Sequence, residues 1–257
     1  MSRLPFEGLT LAVTRPLAQA APLAAQIQSR GGTALVVPLL LIEAALDEHA
    51  LQAVAARLSD YQFAVFVSQN AVAHAAPVLA RTPWPCGVQA VAMGPASAAA
   101  LKAFGVHDVI LPAGPFDSET LLTHPALQAD KVAGARVVIL RGDGGRDVLA
   151  AGLQARGATV EFVQCYTRRA SHDVAPLIEA LGAGALDAIT LTSSEALRHL
   201  CLHAAQTPGL MHVPLFVPHQ RIHDLARAAG FATVVLTPPG DAGLLLGVEQ
   251  YFQDQAD

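Results

Sequence analysis

The chain has 257 residues, 53% of them hydrophobic and 14% charged, with a net charge of −5. That length and apolar content supply cores for one large or two ordinary domains, and the negative balance, with no basic face or stripe, excludes nucleic acid as a partner. No apolar run is long enough to span a membrane, and the widely spaced Cys86, Cys165 and Cys201 form neither Cys-x-x-Cys pairs nor a cluster with histidines, so reduced thiols and no zinc site are expected.

Residues 1–11 carry Arg3 and Glu7 around Pro5 and Gly8, without the apolar core and cleavage site of a signal peptide, so a cytoplasmic location is expected. Leu11-Ala12-Val13-Thr14-Arg15 then reads as a strand, followed by an amphipathic Ala/Leu helix up to Arg30 and Gly31 and a second strand over residues 34–38. Glycine directly after a helical stretch is a stop signal. The next strand, residues 63–68, runs into an Ala-rich helix, as does Val91-Ala92-Met93-Gly94, whose helix ends at Gly105. A polar connector at 131–134 precedes the strand Val137-Val138-Ile139-Leu140-Arg141, a helical stretch over 147–156, Gly157 and a strand over 159–165. Residues 188–193 and 215–219 each form a strand that feeds a helix, the second ending at Gly230.

These elements repeat. Arg15 and Arg141 lie 126 positions apart, as do Gly31 and Gly157; Ser68 and Ser193 lie 125 apart, as do Gly105 and Gly230. Collinear matches at nearly one offset predict two similar α/β domains, and continuous apolar strands alternating with helices predict doubly wound parallel sheets covered on both faces. Pattern alone would divide a plain tandem at 131–134.

Val13-Thr14-Arg15-Pro16, Val67-Ser68-Gln69-Asn70-Ala71-Val72, Met93-Gly94-Pro95-Ala96-Ser97-Ala98, Leu140-Arg141-Gly142, Tyr166 and Leu191-Thr192-Ser193-Ser194 together resemble the uroporphyrinogen-III synthases. Each motif is weak alone; their order and spacing carry the resemblance, which covers almost the whole chain. It implies a two-stranded linker between the domains, with residues 1–37 and 170–257 forming domain one, 40–165 forming domain two, and crossovers near 38–39 and 166–169. Pro38 and Tyr166 would lie at the crossover, with a substrate cleft between the domains. The implied substrate is hydroxymethylbilane, a linear tetrapyrrole with acetate and propionate arms. Loss of its terminal hydroxyl as water gives an azafulvene, attack from the substituted carbon of the last ring gives a spiro intermediate, and fragmentation and reclosure invert that ring. No cofactor is implied, and a monomer is expected.

Such a ligand needs many anion contacts, which a chain of net charge −5 can supply through the unpaired N–H groups at helix N-termini. The turns holding Ser68, Gln69 and Asn70, Gly94 and Ser97, and Thr192, Ser193 and Ser194 offer such ends, ordinary N-caps being the plainer reading of each. Arg15 and Arg141 follow strands and suit carboxylates, or surface salt bridges. Arg141 opens Arg141-Gly142-Asp143-Gly144-Gly145-Arg146, which lacks the Gly-Lys-Ser/Thr of a phosphate loop and a complete Gly-x-Gly-x-x-Gly. Tyr166 is the resemblance's candidate acid, a half-buried linker tyrosine being the alternative. Where the family often has Gly-x-x-Thr, this chain has Pro218-His219-Gln220-Arg221-Ile222, so no threonine role passes to Ile222; His219 and Arg221 stand there as carboxylate contacts, or His219 as a cap or surface group. With Lys102 and Lys131 the sole lysines, neither suitably placed, Schiff-base and pyridoxal chemistry are not expected. Rival readings are a non-catalytic two-domain small-molecule sensor and a glycosyltransferase, the latter opposed by the length and the lack of an acidic sugar-nucleotide motif.

Overall fold

The computed structural model describes residues 4–114, 116–144 and 147–255; Arg3, and Gly145 and Arg146 of the glycine-rich turn, lie outside them. In chain order the first elements are β1 (Thr10–Val13), α1 (Leu17–Ser29), β2 (Thr33–Val36), β3 (Leu40–Ala44), α2 (His49–Ala56) and β4 (Phe63–Phe66). There follow α3 (Gln69–Leu79), β5 (Gln89–Ala92), α4 (Pro95–Ala103), β6 (Val109–Ile110), α5 (Ser118–Leu121), α6 (Ala129–Val132) and β7 (Arg136–Gly142). Next come α7 (Val148–Ala155), β8 (Thr159–Ala170), α8 (Ala175–Gly182), β9 (Ala188–Thr190) and α9 (Ser194–Ala204). The last are β10 (Leu215–Val217), α10 (Gln220–Ala228), β11 (Val234–Leu236) and α11 (Gly240–Asp254). Among the described residues, no helix is long and apolar enough to cross a membrane.

Contacts divide the chain into unit one, residues 1–41 and 169–257, and unit two, residues 42–168. Unit one carries a five-stranded sheet in the order β11-β10-β9-β1-β2, with parallel pairing throughout. The second sheet has the order β3-β8-β7-β4-β5-β6, and its pairs from β8 to β6 are parallel. Setting β6-β5-β4-β7-β8 against β11-β10-β9-β1-β2 superposes the two copies of the sequence repeat. The first copy's β1-α1-β2 is therefore completed by the second copy's β9, β10 and β11, while the second copy's β7-α7-β8 completes β4, β5 and β6. The chain passes between units twice, within β3 and within β8. Leu39 accepts from the Ser171 N–H at 3.1 Å in unit one, and the Ala45 N–H donates to Cys165 at 3.3 Å in unit two. Residues 166–169 are thus the last part of a continuous strand.

Side chains alternate across each strand, so each sheet buries both faces. In unit one, Leu11 and Val13 point into one cluster with Ile27, Phe216 and Leu244, and Ala12 points into the other with Ile189, Leu200 and Leu215. In unit two, Val65 and Ile139 pack with Leu149 and Leu153, whereas Phe66 and Leu140 pack with Val72 and Leu101. Each fully buried aliphatic side chain contributes about 1.5–3 kcal/mol of transfer free energy. The repeat extends to the backbone: Gly31 after α1 and Gly157 after α7 both adopt φ of 89°, a left-handed stop that a Cβ disfavours.

Candidate active site

In a parallel sheet all strands point one way, so their C-terminal ends share one edge, and the turns into the following helices gather there. In unit two that edge collects the Ser68 turn after β4, the Gly94 turn after β5, the end of β7 at Arg141 and Gly142, and Tyr166 of β8. In unit one it collects Arg15 after β1, the turn of residues 192–194 after β9, and His219 after β10.

Ser68 and Ser193 are N-caps. Ser68 Oγ accepts from the Ala71 N–H at 3.1 Å and Ser193 Oγ from the Ala196 N–H at 3.0 Å, each satisfying one of the orphan donors of a helical first turn. Gln69 and Asn70 occupy the first turn of α3, and Gly94 caps α4 with Ser97 buried in its first turn. Thr192 is half-buried just before the cap of α9. Ser194 Oγ is buried without a hydrogen-bond partner among the described residues. His219 takes the N-cap position of α10 with no side-chain capping bond, and Ile222 is buried in the core. Beside these turns, Ser194, Arg198, Leu202, Arg221 and Leu225 line a groove of about 900 Å³ along α9 and α10.

Tyr166 is not half-buried; it is 5% exposed and belongs to unit two's core. The cause is a register shift: Arg141 pairs with Gln164 but Gly142 pairs with Tyr166, leaving Cys165 as an extra residue. Strict alternation would turn Tyr166 away from Val163 and Cys165, whereas the bulge brings all three to the face that packs on α3. The Tyr166 hydroxyl lies 3.1 Å from Ser68 Oγ, and its ring stacks on His74 with centroids 5.9 Å apart at 25°. Cys165 donates its S–H to the Arg141 carbonyl at 3.2 Å, and burial pushes its thiol up to about 12.

Both strand-end arginines have intramolecular acidic partners. Arg15 Nη1 lies 2.5 Å from Asp241 Oδ1, their side chains 15% and 28% exposed. Arg141 bonds Asp147 Oδ1 at 2.7 Å and the Gly144 carbonyl at 3.1 Å, and its guanidinium lies 4.8 Å over the Phe162 ring. Val67, Met93, Phe116, Ile139, Arg141 and Phe162 line part of a cavity of about 220 Å³ at this edge. Asp241, His74 and Gly142 escaped the sequence reading. No local signal marks Asp241 or His74, which meet their partners through tertiary packing; Gly142 stood inside a motif whose glycines suggested a turn. Among the described residues no group of three His, Cys, Asp or Glu side chains converges to hold a metal ion.

The family model of uroporphyrinogen-III synthase HemD matches residues 21–245. The uroporphyrinogen-III synthase of Salmonella typhimurium is 32% identical over 244 residues, covering 93% of this chain and 98% of its own length. That of Escherichia coli is 33% identical over 246 residues, with the same coverage. Two solved structures share the fold. A mutant uroporphyrinogen III synthase from Thermus thermophilus has a TM-score of 0.60 at 17% identity, over 96% of this chain and 99% of that one. The Helicobacter pylori uroporphyrinogen-III synthetase has a TM-score of 0.57 at 14% identity, over 94% and 99%. With a family model spanning most of the chain and relatives matched almost end to end, the chain belongs to the uroporphyrinogen-III synthase family.

Proposed function

We propose that the chain closes hydroxymethylbilane into uroporphyrinogen III as a cyclising lyase, with the substrate's carboxylate arms held by strand-to-helix turns at the C-terminal edges of its sheets. The reaction needs no cofactor and is carried out by a cytoplasmic monomer. Helix N-termini at Ser68, Gly94, Ser193 and His219 offer N–H groups to carboxylates at no cost in net positive charge, which suits a chain of −5. Arg15 and Arg141 add guanidinium contacts, and Gln69, Asn70, Ser97, Thr192 and Ser194 add polar groups beside them.

In this reading Tyr166 donates its phenolic proton as the terminal hydroxyl leaves as water. Ser68 Oγ, 3.1 Å away, aims the phenol, and the phenolate regains its proton from the substrate as the inverted ring re-aromatises. The substrate also cyclises unaided to the non-inverted isomer, so the enzyme must hold the last ring with its substituted carbon toward the azafulvene. Positioning outweighs acid strength in that task. The observation that carries the proposal is the Tyr166–Ser68 pair at the same sheet edge as the Gly94 turn and Arg141, in a chain of this family.

The test is incubation with hydroxymethylbilane followed by oxidation and chromatographic separation of the two porphyrin isomers. Uroporphyrinogen III well above the uncatalysed background is expected, before and after dialysis against chelator. A mixture dominated by the non-inverted isomer at the spontaneous rate would sink the proposal and favour a non-catalytic binding module.

A further inference from the structure

Building on the reading of Tyr166 as proton donor, we infer that Gly142 is a positioning residue for the reaction: the missing side chain at the end of β7 makes the space in which the phenol is held. Gly142 is buried and its φ does not lie in the left-handed region, so its backbone does not require glycine. What requires it is Tyr166. A Cβ at position 142 would lie 2.5 Å from Tyr166 Cε2, 2.6 Å from Cζ and 3.0 Å from the hydroxyl oxygen itself. These are the atoms at the reacting end of the ring.

The ring has no easy retreat. His74 stacks on it, and the Tyr166 carbonyl accepts from the Asp143 N–H at 3.2 Å. Arg168 N–H donates to Asp143 Oδ1 at 3.1 Å, pinning β8 to β7 on the far side of the bulge. A methyl group at 142 is therefore relieved mainly by rotation of the phenol, which breaks its 3.1 Å contact with Ser68 Oγ. Displacement of a catalytic group by about 1 Å is enough to lose on the order of 10²-fold in rate. The Cys165 bulge, Gly142 and His74 together form a mould for one side chain.

The experiment compares Gly142→Ala, Tyr166→Phe and the double variant by single-turnover rate, KM and isomer ratio, with thermal unfolding alongside. Gly142→Ala is expected to lower kcat by ~10²-fold or more while KM moves by less than about threefold. In the Tyr166→Phe background the same change is expected to lower kcat by less than about twofold, although it still lowers the melting temperature because the ring remains. If Gly142→Ala does not fold, Gly142→Ala/Tyr166→Ala is expected to fold and to match the rate of Tyr166→Ala alone. Full activity of Gly142→Ala beside a slow Tyr166→Phe would overturn this inference and leave the donor assignment standing. So would an equal rate loss in both backgrounds, or a Gly142→Ala/Tyr166→Ala protein that does not fold or is more than about tenfold slower than Tyr166→Ala. Full activity of Tyr166→Phe would remove the donor assignment and this inference with it.

Discussion

Arg15 and Asp241 sit 2.5 Å apart at one edge of unit one, so the cation that ends the first strand is neutralised by a carboxylate in the first turn of the last helix. A substrate carboxylate that uses Arg15 must compete with Asp241. Replacing Asp241 with Asn removes the competitor, and KM for hydroxymethylbilane is expected to fall by roughly twofold to tenfold, with at most about 1 kcal/mol lost in stability because the pair is partly exposed. Arg15→Ala should move KM the opposite way. Steady-state kinetics at low ionic strength decide it: a KM that rises in Asp241→Asn means that Arg15 does not bind substrate.

Tyr166→Phe is expected to slow ring closure by ~10² to 10⁴-fold with the fold intact, the range of general acid catalysis. Ser68→Ala removes the neighbour but not the donor, and should cost on the order of tenfold together with a weakened α3 cap. Isomer chromatography beside circular dichroism separates the outcomes. A slowed, folded variant lets free substrate drift to the non-inverted isomer. A Tyr166→Phe loss below about tenfold assigns the phenol to positioning only.

Alkaline pH should loosen unit two. Burial, aided by the hydrogen bond to Glu161, pushes the Tyr61 phenol from 10.0 up to about 12, and burial pushes the Cys165 thiol from 9.0 up to about 12. In both cases the unfolded chain gives up its proton first. Their contribution is fully present below about pH 9 and drains away between there and pH 12, at roughly 1.4 kcal/mol per pH unit for each group once its unfolded form ionises. Urea unfolding at pH 8 and pH 10.5 measures this. Cys165→Ala is expected to flatten the alkaline decline, and an unchanged slope would show that the thiol does not contribute.

Thiol labelling should proceed in a fixed order. Cys86 is exposed, Cys201 is partly covered and held above its ordinary range by burial, and Cys165 is buried. A maleimide or aromatic disulfide reagent is expected to modify Cys86 within minutes, Cys201 more slowly, and Cys165 only on unfolding. Peptide mapping by mass spectrometry reads the order. Rapid labelling of Cys165 in the native protein would contradict the packing of β8 against α3.

The repeat made much of this molecule legible before any coordinates. Strand identity, the glycine stops at Gly31 and Gly157 and the caps at Ser68 and Ser193 are local features, carried by periodicity and by the chemistry of single residues. What escaped was set by distant partners. The burial of Tyr166 is one case: strict alternation cannot foresee an extra residue in β8, and the bulge arises where β8 meets β7 at Gly142. For Arg15 a salt bridge is one of two sequence readings, but its partner Asp241 lies 226 residues away and no local pattern names it. Residues 40–44, half exposed and only partly alternating, gave too little pattern to announce β3.

The exchanged arrangement of the repeat also has an order in time. Unit two is one uninterrupted stretch, residues 42–168, so every strand it needs is synthesised before β9. β1 emerges first, yet apart from β2 its sheet neighbour is β9, paired through Leu11 with Ala188 and Val13 with Thr190. At roughly 5–20 residues per second the opening βα unit waits on the order of ten seconds or longer for that neighbour. During that interval its apolar strand is an unpaired edge available to chaperones or to other nascent chains. The middle of the polypeptide matures before its beginning, and vectorial synthesis, not stability, sets when the first unit can close.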